Sequence, residues 1–91
     1  MKTIKVKDEN GNIKEYQVIL TYFDDEYNKD YIVYTDNKYN DDGELQIYIN
    51  SYNNDNINEI IDKKEYKKIK TIINSILLTI KNEQEKINSK E

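Results

Sequence analysis

The chain has 91 residues with two Gly, one Met and no Cys, His, Trp or Pro, and its formal net charge is −4. That length fits one domain whose core must be nearly continuous, and the missing Cys excludes disulfides, zinc–thiolate sites and thiol chemistry and points to a reducing compartment. All 14 basic residues are Lys; without Arg or a basic surplus, a nucleic-acid binder that neutralises phosphates and reads guanine is not expected.

Ile, Asn, Lys and Tyr are used heavily, and their codons are A/T-rich. Much of the Asn and Lys content is therefore read as base composition. The chain opens with Met1, Lys2 and an alternating segment, and no run of about twenty apolar residues follows. Neither a signal peptide nor a membrane span is expected, and the location expected is cytoplasmic.

Residues 2–7 alternate, with Ile4 and Val6 on one side and Thr3, Lys5 and Lys7 on the other, the pattern of a half-buried strand. Asn10-Gly11 within Asp8 to Asn12 is a hairpin signal, because both residue types tolerate positive φ. A second strand is predicted over 13–23. Tyr16, Val18, Leu20 and Tyr22 fall on one of its faces, and Glu15, Gln17, Ile19, Thr21 and Phe23 on the other.

Asp24 to Asp30 has no period and reads as a turn. Tyr31 to Thr35 carries apolar side chains on both faces, as a central strand does. Asp36 to Gly43 is the most polar stretch and reads as a loop. From Glu44 to Tyr52 alternation returns, with Leu45, Ile47 and Ile49 opposite Gln46, Tyr48, Asn50 and Tyr52. A short strand over 57–61 is expected to lead into a helix.

That helix is predicted from Asp62 to about Asn82. Tyr66, Ile69, Ile72, Ile73, Ile76, Leu77 and Ile80 form one apolar stripe. Asp62 is placed to cap it, and Glu65 to reach back to the cap amide. Strands first and a helix last give an α+β fold, an antiparallel four- to five-stranded β-meander followed by one C-terminal amphipathic α-helix packed on one face. Residues 1–82 form the domain, and 83–91 read as a frayed or disordered tail. The expected core is Ile4, Val6, Val18, Leu20, Val33, Leu45, Ile47, Ile49, Ile61, Ile69, Ile73, Ile76, Leu77 and Ile80. The face assigned to Val18 and Leu20 competes with the alternative of Ile19 and Phe23.

Several blocks carry a family resemblance: the opening strand with Asp8-Glu9-Asn10-Gly11, residues 15–35 (EYQVILTYFDDEYNKDYIVYT), residues 41–52 (DDGELQIYINSY) and residues 57–69 (INEIIDKKEYKKI). Through them the chain resembles the family catalogued as domain of unknown function 1292, small acidic proteins of Gram-positive bacteria. The resemblance covers most of residues 2–80 and implies a compact cytosolic bacterial domain. It brings no catalytic residue and no cofactor with it. Members of that family usually carry more acidic residues, and often a Trp or Pro that is missing here.

No enzyme is expected. Catalysis at neutral pH usually draws on His, Cys, or a carboxylate or Lys with a shifted pKa in a cleft. Here His and Cys are missing, and Ser51, Ser75 and Ser89 lie in no nucleophile-elbow context. Asp36, Asn40, Asp41, Asp42 and Glu44 crowd oxygens around Gly43, as a calcium loop does. With Gly43 at the loop glycine, however, Lys38 takes the first ligand position and Ile49 the last. No metal site and no cofactor is therefore assigned. Lys63, Lys64, Lys67, Lys68 and Lys70 read as a solvated helix face.

Tyrosine is the signal that points to function. There are nine, and alternation sends Tyr48 and Tyr52 to the face opposite Leu45, Ile47 and Ile49. By pairing, either Ile19 and Phe23 or Tyr16 and Tyr22 join them. Tyr brings large contact area and a polar tip to interfaces. The expected function is a non-enzymatic protein-interaction module that uses Tyr48, Tyr52, Tyr34 and Phe23, with a protein partner or a second copy and neither nucleic acid nor membrane. The alternative is a binder of a cation or basic partner through residues 36–44.

Overall fold

The computed structural model describes residues 2–54 and 56–89, with side chains as far as Glu83. These residues form a sheet unit over 1–59 and a helical unit over 60–91. The sheet unit contains β1 (Thr3–Lys7), β2 (Ile13–Asp24), β3 (Lys29–Tyr39), β4 (Leu45–Asn53) and β5 (Asn56–Asn58). Each strand pairs antiparallel with the next, so spatial order follows chain order and the α+β meander stands as expected.

Short polar connections force that topology, and two of them are built alike. In the first, the Asp8 carboxylate accepts the Asn10 and Asn12 amides at 2.9 and 2.8 Å, and the Gly11 amide donates to the Asp8 carbonyl at 3.0 Å. In the second, the Asn40 side-chain oxygen accepts the Asp42 and Glu44 amides at 3.0 and 2.9 Å, and the Gly43 amide donates to the Asn40 carbonyl at 3.0 Å. Gly11 and Gly43 sit at φ 83° and 79°, where a side chain is disfavoured. Asn10 is not among the positive-φ residues, so Gly11 alone supplies the left-handed conformation expected of the Asn-Gly pair.

The central position of β3 explains its composition. Tyr31, Ile32, Val33, Tyr34 and Thr35 are all buried, and they alternate between the two faces. The strand is longer than expected and runs on to Tyr39, because residues 36–38 form an irregularity between the Thr35–Ile47 and Tyr39–Leu45 pairs. There the Thr35 hydroxyl donates to the Gln46 carbonyl at 2.6 Å and accepts the Asn37 amide at 3.1 Å. Asn37 itself takes φ 63°.

The register of β2 changes partway. Val18 pairs with Tyr34 and Leu20 with Val33, which leaves Ile19 as one extra residue, a β-bulge. Side chains alternate with a period of two, so one inserted residue reverses the facing of everything beyond it. Tyr16 and Val18 therefore share a face with Tyr34, whereas Leu20 and Tyr22 share the opposite face with Val33 and Tyr31. Tyr22 and Tyr31 stack there with ring centroids 6.5 Å apart. The expected grouping of Val18 with Leu20 is thus corrected, and so is the choice posed for Tyr16 and Phe23. Both lie on the Tyr48 face. Ile4 and Val6 join them there through pairing with Tyr16 and Lys14, rather than joining Ile47 and Ile49.

The helical unit holds α1 (Lys63–Ser89). Asp62 caps it as expected, its carboxylate accepting the Lys64 amide at 2.8 Å and the Glu65 amide at 3.4 Å, a device worth about 1 kcal/mol. Ile69, Ile73 and Glu65 are buried, and Ile72, Ile76 and Leu77 are half-buried. Three residues expected in the core are instead exposed: Leu45 at 37%, Ile80 at 42% and Ile61 at 88%. Leu45 opens its strand and Ile61 precedes the helix cap, so neither has neighbours on both sides. Tyr66, expected in the stripe, is 40% exposed, and the Lys70 ammonium lies 5.9 Å from its ring centroid. The expected short strand over 57–61 is β5, Asn56–Asn58. Of the stretch expected as a tail, backbone through Ser89 is helical; side chains after Glu83 and residues 90 and 91 lie outside the described residues.

Candidate functional site

Strand register brings three tyrosines together on one face of the sheet. Tyr34 and Tyr48 are direct cross-strand partners on β3 and β4, with stacked rings 5.5 Å apart at 25°. The ring of Tyr16, on β2, meets both edge-on, 5.2 Å from Tyr34 at 66° and 6.0 Å from Tyr48 at 71°. Edge-to-face and offset-stacked geometries suit the aromatic quadrupole and add about 0.5–1.5 kcal/mol per pair beyond burial.

The hydroxyls are tied down as well. Tyr34 donates to the Asn50 side-chain oxygen at 2.7 Å, and Tyr48 donates to the Asp36 carboxylate at 3.0 Å. Asn50 in turn donates to the Asn58 carbonyl at 3.3 Å, which links β3 to β5 through β4. Burial pushes the Tyr34 phenol above the ordinary tyrosine range, and the neighbouring Tyr16 and Tyr48 add to that. The Tyr48 phenol is raised chiefly by its bond to Asp36. The Asp36 carboxyl is held below its ordinary value, first by the Lys38 amide, which donates to it at 3.0 Å, and also by the Tyr48 hydroxyl.

The other two residues expected on this face lie apart from the cluster. Phe23 is 49% exposed and pairs across to Asp30, which pairs in turn with Tyr52. Tyr52 is half-buried beside Ile57 of β5. The face therefore holds an ordered aromatic cluster near the end of β4 that follows the Gly43 turn, and an apolar region with Phe23 and Tyr52 near the opposite end. Tyr34 contributes by holding the cluster in place, since only 7% of it is exposed, whereas Tyr48 is 38% exposed.

The roles of Asp36 and Asn50 as anchors of the hydroxyls were not legible in the sequence. The entry of Tyr16 into the cluster was legible only as one of two alternatives. One signal was available, the continuous apolar run Val18-Ile19-Leu20, which breaks the alternation at the point where the bulge falls.

Over residues 36–44, the Asp36 carboxylate accepts the Lys38 amide and the Tyr48 hydroxyl in the irregular segment of β3, and the Asn40 side-chain oxygen accepts two amides in the Gly43 turn. Among the described residues no three His, Cys, Asp or Glu side chains come together in a metal-holding group, and no buried side-chain nitrogen or oxygen lacks a hydrogen-bond partner. Among the same residues no helix is long and apolar enough to cross a membrane.

No family model and no solved structure matches the chain. It is 32% identical over 85 residues to a UPF0473 protein of Leuconostoc mesenteroides subsp. mesenteroides, an alignment that covers 85% of this chain and 86% of that protein. The chain belongs to the UPF0473 family. Membership supports the small bacterial protein expected from the sequence, without singling out the domain of unknown function 1292. The UPF0473 name assigns that relative no activity, so the reading of function rests on the sheet face.

Proposed function

We propose that this UPF0473 protein is a non-enzymatic protein-interaction module of the bacterial cytoplasm. Its contact surface is the sheet face that carries Tyr16, Tyr34, Tyr48, Tyr52 and Phe23. The observation that carries this reading is the locked geometry of the cluster: three rings held against one another, with two hydroxyls fixed by Asn50 and Asp36. Side chains ordered in advance lose little freedom on binding, which is one of the larger costs of association. Tyr adds wide contact area at few rotatable bonds, and Phe23 offers an exposed apolar ring on the same face. The blocks shared with the domain of unknown function 1292 support placing the chain with that family too.

An affinity capture from the native cytosol tests the reading, using the parent chain and a Phe23→Asp, Tyr48→Glu variant whose circular dichroism and melt match the parent. A partner protein held by the parent and released by the variant supports it. Equal retention by both sinks it. A dimer that the same variant dissolves would replace the partner by a second copy.

A further inference from the structure

The Tyr52 end of this face is concave. A hollow of about 260 Å³ has apolar walls from Ile4 of β1, Ile32 of β3, and Tyr52 and Ile57 of β4 and β5. Ile32 forms its buried floor, while Ile4, Tyr52 and Ile57 are half-buried around it. Lys2, Lys5 and Thr21 of β2 complete the lining, and no carboxylate contributes to it. Both lysines are exposed, and neither has an ion pair among the described residues. In a chain of net charge −4 this is a local positive rim around an apolar floor.

Small-molecule sites span roughly 300–1,000 Å³, so this hollow lies at the small end of that scale and has room for a single large side chain. We infer that it receives one aliphatic or aromatic side chain of a partner's acidic peptide segment, with the flanking carboxylates lying on Lys2 and Lys5. This rests on the interaction reading above and gives the partner a chemistry. The apolar anchor supplies most of the affinity, and the lysines select acidic over basic segments and speed encounter.

Amide and methyl NMR of the full chain tests it, titrated with three capped pentapeptides: Asp-Glu-Leu-Asp-Glu, Lys-Lys-Leu-Lys-Lys and Asp-Glu-Gly-Asp-Glu. The acidic leucine peptide is expected to shift Ile4, Thr21, Ile32 and Ile57, and the other two to bind at least tenfold more weakly. Lys2→Glu with Lys5→Glu should weaken the first peptide at least tenfold and spare the fold, since both side chains are exposed. Added salt should weaken it as well. Equal binding of acidic and basic peptides, or no shift at the hollow, overturns the inference. Shifts confined to Tyr16, Tyr34 and Tyr48 overturn it too, yet leave the broader interaction surface standing, so the two failures are distinguishable.

Discussion

Val18 and Leu20, two positions apart on one strand, face opposite sides of the sheet, because Ile19 between them has no partner on β3. That single unpaired residue places Tyr16 with Tyr34 and Tyr48 and sends Tyr22 to stack on Tyr31. Deleting Ile19 would continue the ladder without interruption and turn one half of β2 inside out. The expected cost is about 4 kcal/mol, at the severe end for one change, read as a lowered urea midpoint or outright failure to fold. A deletion variant as stable as the parent would show that the bulge does not set the faces.

Tyr34 links ring packing to the strand network through its 2.7 Å bond to Asn50. Tyr34→Phe keeps the rings and removes the bond, so a loss of about 1 kcal/mol is expected. Tyr34→Ala removes the ring at the centre of the cluster and should cost about 3–5 kcal/mol. Chemical denaturation of both variants separates the two contributions. Equal losses would mean that the ring contacts add nothing beyond the hydroxyl.

Stability should fall with rising alkalinity. The Tyr34 and Tyr48 phenols give up their protons less readily folded than unfolded, and an unfolded tyrosine titrates near about pH 10. Below that pH both states are protonated and the contribution is fully present. Above it the unfolded chain binds fewer protons, so the folded state loses ground until the folded phenols titrate as well. Thermal melts between about pH 8 and 11 should show the decline, with a shallower slope in Tyr34→Phe. For Asp36 the sign is reversed: its lowered value gives stability above the ordinary carboxylate pKa that is lost as pH falls, and its exposure keeps this small.

The Gly43 turn owes its shape to a positive φ and to the Asn40 side chain. A Cβ at Gly43 would meet nothing within 4 Å, so any penalty comes from the backbone angle alone. Gly43→Ala is expected to cost about 1–2 kcal/mol, and Asn40→Ala a similar amount through two lost bonds. The same pair of substitutions at Gly11 and Asp8 should behave alike if the two turns are equivalent. Melting temperatures of the four variants would check this.

Much of this arrangement was readable from residue order. Alternation located the strands, the apolar stripe and Asp62 located the helix, and apolar residues on both sides of Tyr31 to Thr35 marked the central strand. The facing of β2 was not readable, since a bulge adds a residue without adding any residue type that marks it. The polar stretch after Thr35 carries no strand pattern for a related reason: β3 continues through an irregular segment in which Asp36 and Thr35 supply side-chain bonds where the ladder is interrupted. Alternation points Leu45 to the core, and an expected strand over 57–61 does the same for Ile61, but burial also needs neighbours, which positions at the edge of an element lack. Tyr48 and Tyr52 share one face as expected because β4 alternates without interruption, whereas Phe23 on the bulged β2 is legible only as one of two alternatives.

If a partner sits on the tyrosine-bearing face, site-specific photo-crosslinking in living cells will find it there. A benzoylphenylalanine placed at Phe23, 49% exposed on that face, is expected to give one discrete covalent adduct, whereas the same probe at Ile13, 69% exposed and on the opposite face, is expected to give none. Equal adducts from both positions, or an adduct from Ile13 alone, would contradict that placement.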